Sequence, residues 1–238
     1  MPETVIVLPT YNEAANIGRT VREVYAALPD CRIIVVDDNS PDGTAAVVRT
    51  LMPEFPTLSL HLREKKAGLG AAYKDILSRL QHDASVRYVI HMDVDGSHEA
   101  AEIPRVLEKL ASYDFVVGSR YVQGGSVEGW ERNRKLLSRF GNIYARTIAG
   151  IPLKDVSSGF IGMRRSLLER VDFKRLSGTG YAYLMEFKHE CTVRLHARAY
   201  ELPIHFKPRR EGESKMTFGV IREGLLLPLK IRFGIGRK

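Results

Sequence analysis

"VIHMDVDGSHE", Val89 to Glu99, runs an apolar stretch straight into two aspartates one residue apart. An apolar run of that length reads as a buried strand, the kind found in parallel sheets covered on both faces. Two carboxylates at its exit repel each other unless something positive stands between them. On a continuing strand Asp93 and Asp95 would face opposite sides of the sheet. If the backbone turns there, both can approach one cation. The stretch therefore predicts a solvent-facing strand end where an acidic pair collects positive charge.

The residues around it repeat the pattern. Val5 to Leu8, Ile33 to Val36, Leu58 to Leu62, Tyr88 to Met92 and Phe115 to Val117 read as strands. Between them Ile17, Val21, Val24, Tyr25 and Leu28 share one helical face. So do Tyr73, Ile76, Leu77 and Leu80, and then Ile103, Val106, Leu107 and Leu110. This βαβα rhythm predicts an α/β fold with a mostly parallel central sheet and helices on both faces. Ligands in such sheets bind at the carboxyl ends of strands. The polar clusters "PTYNE", "DDNSPDG", "DVDGSH" and "GSRY" all fall there, so four strand exits make one site.

Past Arg120 the rhythm changes. A Gly-rich "VQGGSVEG" is followed by Leu136, Leu137, Phe140, Ile143, Tyr144 and Ile148 at amphipathic helical spacing. "SSGFIGM" adds a strand, Tyr181 to Leu195 a helix, and "RREGESK" a charged loop. In the last stretch, Leu225 to Leu227, Leu229, Ile231 and Phe233 are interleaved with Arg222, Lys230, Arg232, Arg237 and Lys238. That pattern fits a helix packed on the core with a basic outer face, or attachment to anionic lipid.

Composition narrows the chemistry. Thirty-six basic against 28 acidic residues give a net charge of +8, which fits either a solvated basic surface or an anionic partner: a phosphate-bearing ligand, nucleic acid or an anionic membrane. Cys31 and Cys191 form no metal-ligand pattern, and a reducing cytosolic setting suits them. Met1 leads directly into "TVIVLP", so no signal peptide is expected, and no apolar run reaches the roughly 20 residues that span a bilayer. The histidines show no HxxxH or HExxH spacing, which argues against zinc hydrolysis, and GxSxG is absent. "GLGAAY" lacks the third glycine of a dinucleotide fingerprint. "DVDGS" also suits a haloacid dehalogenase-type phosphatase, but that class needs an early-strand nucleophile and a later Gly-Asp motif, and this chain has neither. Hard oxygen ligands in small number suit Mg²⁺ or Mn²⁺ completed by substrate phosphates. Arg120 at a strand exit, with Arg209, Arg210 and Lys215 on one loop, could neutralise those phosphates.

Together "VIVLPTYNEAANI", "VVDDNSPDGT", "KAGLGAAY", "MDVDGSH", "VGSRYVQGGSVEGW" and "GESK" resemble the dolichol-phosphate mannose synthases, inverting GT-A-fold glycosyltransferases of family 2. The resemblance covers nearly the whole chain. It implies a metal-dependent enzyme that transfers mannose from GDP-mannose to dolichyl or polyprenyl phosphate using Mg²⁺ or Mn²⁺. Carried over by position, Pro9, Tyr11, Glu13, Val36 and Asp38 would contact the guanosine. Asp93, Val94 and Asp95 would line the diphosphate, with Asp95 the principal metal ligand and Asp93 and Ser97 beside it. Arg120, Arg209 and Lys215 would grip donor and acceptor phosphates and, with Asp95, carry the catalysis. Val94 replaces the more usual Ala, and "HEA" stands where "HPP" or "HHP" is common.

The resemblance further implies a catalytic domain over 1–214, its nucleotide-binding part about 1–120 and its acceptor part about 121–214, followed by a basic amphipathic segment over 215–238. Many relatives append transmembrane helices, and this sequence reads as the catalytic-only form. It would work at the cytoplasmic face of a membrane, held peripherally by an anionic surface or by a membrane-anchoring partner, with no nucleic acid involved. Transfer of glucose or another sugar to the same acceptor is the alternative within the class. A nucleotide-sugar-binding module without catalysis lies outside it.

Overall fold

The computed structural model describes residues 3–178, 180–210 and 218–233. Nine strands alternate with eight helices among them: β1 Thr4–Thr10, α1 Ala14–Ala27, β2 Arg32–Asp37, α2 Thr44–Leu51, β3 Leu58–Leu62, α3 Leu69–Leu80, β4 Tyr88–His91, α4 Ile103–Leu110, β5 Phe115–Ser119, β6 Ser126–Val127, α5 Arg132–Ala149, β7 Ile161–Arg164, α6 Arg165–Leu168, α7 Gly180–His189, β8 Ala199–Pro203, β9 His205–Phe206 and α8 Phe218–Phe233.

Seven strands form one sheet in the order β3-β2-β1-β4-β7-β5-β8. All its pairings are parallel except those of β7, which lies antiparallel to both β4 and β5. β6 and β9 make a small parallel pair of their own. The expected α/β fold is present, with its five early strands where the apolar runs put them. The β8 edge strand and the β6–β9 pair were not foreseen.

Period-two alternation divides the core between the two faces of the sheet. Val5 and Val7 of β1 pack with α3, α5, α7 and α8, through residues such as Tyr73, Ala145, Phe187 and Leu227. Ile6 and Leu8 face the other way, onto Ile17, Val21 and Val24 of α1, Val48 of α2 and Val106 of α4. Chain order reverses beside β1, since β2 and β3 lie on one side of it and β4 on the other. The carboxyl ends of β1 and β4 therefore mark the switch point, the place where such sheets bind ligands.

Local turns fix the strand exits. Asn12 and Asn39, just past β1 and β2, adopt left-handed φ of 57° and 56°, a conformation asparagine tolerates better than most residues. Asp42 joins the starts of two helices, accepting from Ala14 N at 2.9 Å and from Thr44 N at 3.0 Å.

The amphipathic helix expected around Leu136 is α5, but its apolar residues face out. Asn142, Ala145 and Ala149 are its buried positions, whereas Leu136, Leu137, Phe140 and Ile143 are between 49% and 69% exposed. The helix packs with α8, and the Tyr144 hydroxyl donates to Leu225 O at 3.0 Å. α8 in turn buries Leu227 and Ile231 in the core while Leu225, Leu226 and Phe233 stay exposed. No helix among the described residues is long and apolar enough to cross a membrane.

Gly162, in the middle of β7, lets α4 lie close on the sheet: a Cβ there would sit 2.4 Å from Val106 Cγ1 and 3.1 Å from Leu110 Cδ1. Gly162→Ala should therefore overpack the core and cost about 1–3 kcal/mol of stability, read by urea unfolding. An unchanged midpoint would show that α4 has room to retreat.

Candidate active site

β4 ends at His91, and the chain turns through residues 92–98 rather than continuing as a strand. Gly96 makes the turn with φ of +78°. A side chain there would also collide with Arg210, whose Cδ lies 2.6 Å from the Cβ position. The turn is clamped from two sides. Thr20 Oγ1 on α1 donates to Val94 O at 2.9 Å. The segment after β9 runs along it, with Lys207 N donating to Ser97 O at 3.1 Å and Arg210 N to Asp95 O at 3.0 Å.

These contacts bury Asp95, against the expectation of a solvent-facing carboxylate; it is only 4% exposed. Its Oδ1 accepts from Ser97 N at 3.0 Å and Ser97 Oγ at 2.5 Å. Its Oδ2 lies 3.1 Å from Arg209 Nε. The positive group beside the acidic pair is thus an arginine of the chain itself. Arg210 does a different job, reaching Glu23 on α1 at 3.0 Å and fixing the loop that carries Arg209.

Asp93 is more open. Burial raises its carboxyl above the ordinary value and the neighbouring Asp95 adds to this, while the charges of Arg209 and Arg120 oppose it. His98 lies 3.9 Å from Asp93 Oδ2, but its Nδ1 accepts the Asp93 backbone N–H at 3.1 Å. That assigns the neutral tautomer to the ring, and burial accordingly lowers its pKa. His98 is therefore a prop for the turn, wedged against Phe160 and Phe206, rather than an ionic partner.

The β1 and β2 exits form the adjoining wall. Half-buried Pro9 pairs in register with buried Val36. Lys66 Nζ sits 3.9 Å over the Tyr11 ring. Glu13 precedes α1, donates its N–H to Thr44 Oγ1 at 3.0 Å and accepts from Asn16 Nδ2 at 2.9 Å. Asp38 is buried and committed to the protein: it accepts from Arg63 and from the backbone of Ala67 and Gly68 at 3.0 and 2.8 Å. This ties "KAGLG" to the β2 exit, so "GLGAAY" is a tethered turn and helix start.

Arg120 is also committed. It is 8% exposed, and its Nε and Nη2 donate to the two oxygens of Asp155 at 2.8 and 2.7 Å. Its Nη2 also reaches Ser157 Oγ at 2.7 Å, and its guanidinium lies 5.1 Å from the Phe206 ring centroid and 5.8 Å from that of Trp130. Burial alone would raise Asp155, but the Arg120 charge and hydrogen bonds bring its pKa below the ordinary value. The expected phosphate-gripping arginine is thus neutralised within an aromatic wall. Lys215 lies outside the described residues, as do Arg237 and Lys238.

Sequence reasoning missed Asp155 and Ser157, which lie 35 and 37 residues from the Arg120 they bind, and Asn142, which lies 15 from Ser157. Asp155 carried no signal beyond an acidic residue before "VSSGF". Among the described residues no three His, Cys, Asp or Glu side chains gather into a metal cage. The more open Asp93, with Asp95 on the same turn, fits a hard divalent cation that draws its remaining oxygens from a substrate, once Asp95 Oδ2 exchanges Arg209 for the cation. Ser97 brings its hydroxyl to the same turn.

A family described as "Glycosyl transferase family 2" matches residues 5–172. The chain is 36% identical over 220 residues to an undecaprenyl-phosphate mannosyltransferase of Micrococcus luteus, covering 92% of this chain and 90% of that one. It is 38% identical over 226 residues to a polyprenol monophosphomannose synthase of Mycolicibacterium smegmatis, covering 93% and 84%. The fold matches glucosyl-3-phosphoglycerate synthase of Mycobacterium tuberculosis, solved with Mn²⁺, UDP and product, at a TM-score of 0.69, 19% identity and coverage of 100% and 82%. It also matches a mannosyltransferase of Pyrobaculum calidifontis solved with GDP-Man and Mn²⁺, at 0.59, 18% identity and coverage of 98% and 73%.

Because Asp95 is a buried partner of Arg209 and Ser97, Asp95→Ala should lower stability by about 1–3 kcal/mol in urea unfolding without divalent cations. Relief of carboxylate repulsion alone would give the opposite sign, a midpoint that holds or rises.

Proposed function

The chain belongs to glycosyl transferase family 2 and has its GT-A fold, and from that premise we propose that it transfers mannose from GDP-mannose to dolichyl or another polyprenyl phosphate, with inversion. The products are polyprenyl-phosphate mannose and GDP. One observation carries the reading: at the switch point, a turn bearing two carboxylates is held against an arginine loop. The names of the two bacterial relatives support the acceptor and the sugar.

In this reading Pro9, Tyr11, Glu13 and Val36 hold the guanosine at the β1 and β2 exits, while Asp38 orders the loop beside them. Asp93 and Asp95, with Ser97 adjoining, would hold Mg²⁺ or Mn²⁺, whose chemistry is to offset the charge of the leaving diphosphate. Arg209 supplies a protein charge at the same place, and as a planar fork it can bind phosphate through two N–H groups. Lys215, outside the described residues, would add a second cation. Arg120, already paired with Asp155, contributes by fixing the wall of Trp130 and Phe206.

No side chain is needed as a general base. A phosphomonoester has a second pKa of about 6, so the acceptor is nucleophilic at neutral pH. A sugar hydroxyl would instead need a base to take its proton.

The lipid acceptor calls for contact with a membrane. The outward stripe of α5 is flanked by exposed Arg132, Arg134, Lys135 and Arg139, and this supports peripheral attachment to anionic lipid at the cytoplasmic face. The exposed residues of α8 extend the same surface.

Incubation with GDP-mannose, Mg²⁺ and a polyprenyl phosphate should yield a mannosyl lipid, with activity rising through pH about 6 as the acceptor ionises. Asp95→Ala should abolish metal-dependent turnover. Arg209→Ala should lose roughly 100-fold or more in kcat and Arg209→Lys less, since a point charge replaces the fork. Product from UDP-glucose and none from GDP-mannose would overturn the donor assignment.

On liposomes, flotation with anionic lipid should weaken as salt rises, and Leu137→Glu with Phe140→Glu should reduce it without changing the melting temperature. Undiminished flotation of that double variant would remove α5 from the membrane surface.

A further inference from the structure

Behind the Arg120 wall, the segment from Asp155 to Gly159 is neither helix nor strand, so its backbone groups must find partners elsewhere. Three of its carbonyls turn inward onto ionisable side chains. Lys188 of α7, fully buried, donates from Nζ to Val156 O at 3.0 Å and to Ser158 O at 2.6 Å. His91 of β4, also fully buried, places Nδ1 2.8 Å from Gly159 O and donates to it.

The side of the segment facing the site works differently. Asp155 takes the Arg120 guanidinium in two bonds and the Arg120 backbone N–H in a third at 3.0 Å. Ser157 Oγ accepts from the same guanidinium. At the far end Gly159 lies so close to Asp93 that a Cβ would be 3.1 Å from Oδ1. A single short bracket therefore touches both Arg120 and Asp93, and its buried anchor is a lysine.

A lysine is a costly choice for that place. Burial pushes its pKa down to about 7, although Asp155 pulls it upward. An apolar side chain of similar volume would avoid that cost but would strand two carbonyls without donors.

We propose that Lys188 is a positioning residue for the transfer reaction: by holding the carbonyls of Val156 and Ser158 it sets the bracket that fixes Asp155–Arg120 and the Gly159 contact with Asp93. The kinetic consequence rests on the transferase reading above. The mechanical link from Lys188 to Arg120 does not.

The test uses the full chain with Lys188→Met and, as a variant keeping an uncharged N–H donor group, Lys188→Gln. Each is assayed well below its own melting temperature. In hydrogen exchange, peptides covering 119–122 should lose protection together with 155–159, while those of β1 and β2 keep theirs. Unchanged exchange at 119–122 in both variants would overturn the proposal whatever the substrate. With GDP-mannose, Mn²⁺ and a polyprenyl phosphate, Lys188→Met should lose about tenfold or more in kcat with a smaller change in KM for the donor.

Combined with Asp155→Asn, Lys188→Met should cost little beyond the worse single variant, because both act through one bracket. Multiplicative losses would mean that Lys188 and Asp155 act independently and would overturn the shared bracket. Should Asp155→Asn not fold, Ser157→Ala takes its place in the cycle. A wild-type chain that makes no mannosyl lipid would overturn the donor–acceptor assignment and leave the exchange result to decide the bracket.

Discussion

The pairing of Asp95 with Arg209 joins parts of the chain more than a hundred residues apart at the switch point. Around it the Asp95 carboxylate receives Ser97 and the Asp95 carbonyl receives Arg210, so side chain and backbone are fixed together. Remove that hub and the loop after β9 loses its main reason to lie along the β4 exit. The sheet alone would deliver a carboxylate to the switch point. It takes the later segment to deliver the opposing cation.

Several other charges in this wall are buried with partners: Asp38 with Arg63, Asp155 with Arg120, Lys188 with two carbonyls. Pairs of this kind are weak contributors to net stability, because desolvation consumes much of the Coulomb gain. Their effect is geometric. Each accepts only one arrangement of its neighbours, and breaking one side leaves an uncompensated charge. Asp38 at the β2 exit and Arg120 at the β5 exit are thus each held by bonds within the chain, the kind of arrangement that preorganised electrostatic sites require.

Periodicity made the N-terminal half legible. Val5, Ile33 and Val89 lie in apolar runs, with Leu58 in a weaker one, and their alternation with helical faces through Ile17 and Tyr73 pointed to a parallel sheet; those faces are buried as expected. Periodicity also showed that α5 has an apolar stripe, but it cannot show what covers that stripe, and here the protein does not. Burial of Asp95 was not legible either, because the residues that bury it belong to the 207–210 segment and arrive by tertiary folding. The antiparallel β7 and the Asp155 clamp escaped for the same reason. "SSGF" looked like strand sequence, but only Ile161 onward pairs in the sheet.

The antiparallel insertion has a consequence for how the chain assembles. β3, β2, β1 and β4 can pair from the first 91 residues, leaving the outer edge of β4 bare. That edge waits for β7, some seventy residues later, to slide between β4 and β5. Closing so long a loop costs entropy before any contact repays it, and an apolar edge left open is prone to pairing with other chains. The segment feeding β7 is the one that grips Arg120 and abuts Asp93. Sealing the β4 edge and gripping Arg120 thus fall to one short segment, while the pairing of Asp95 with Arg209 waits for the still later 207–210 segment to fold against the turn.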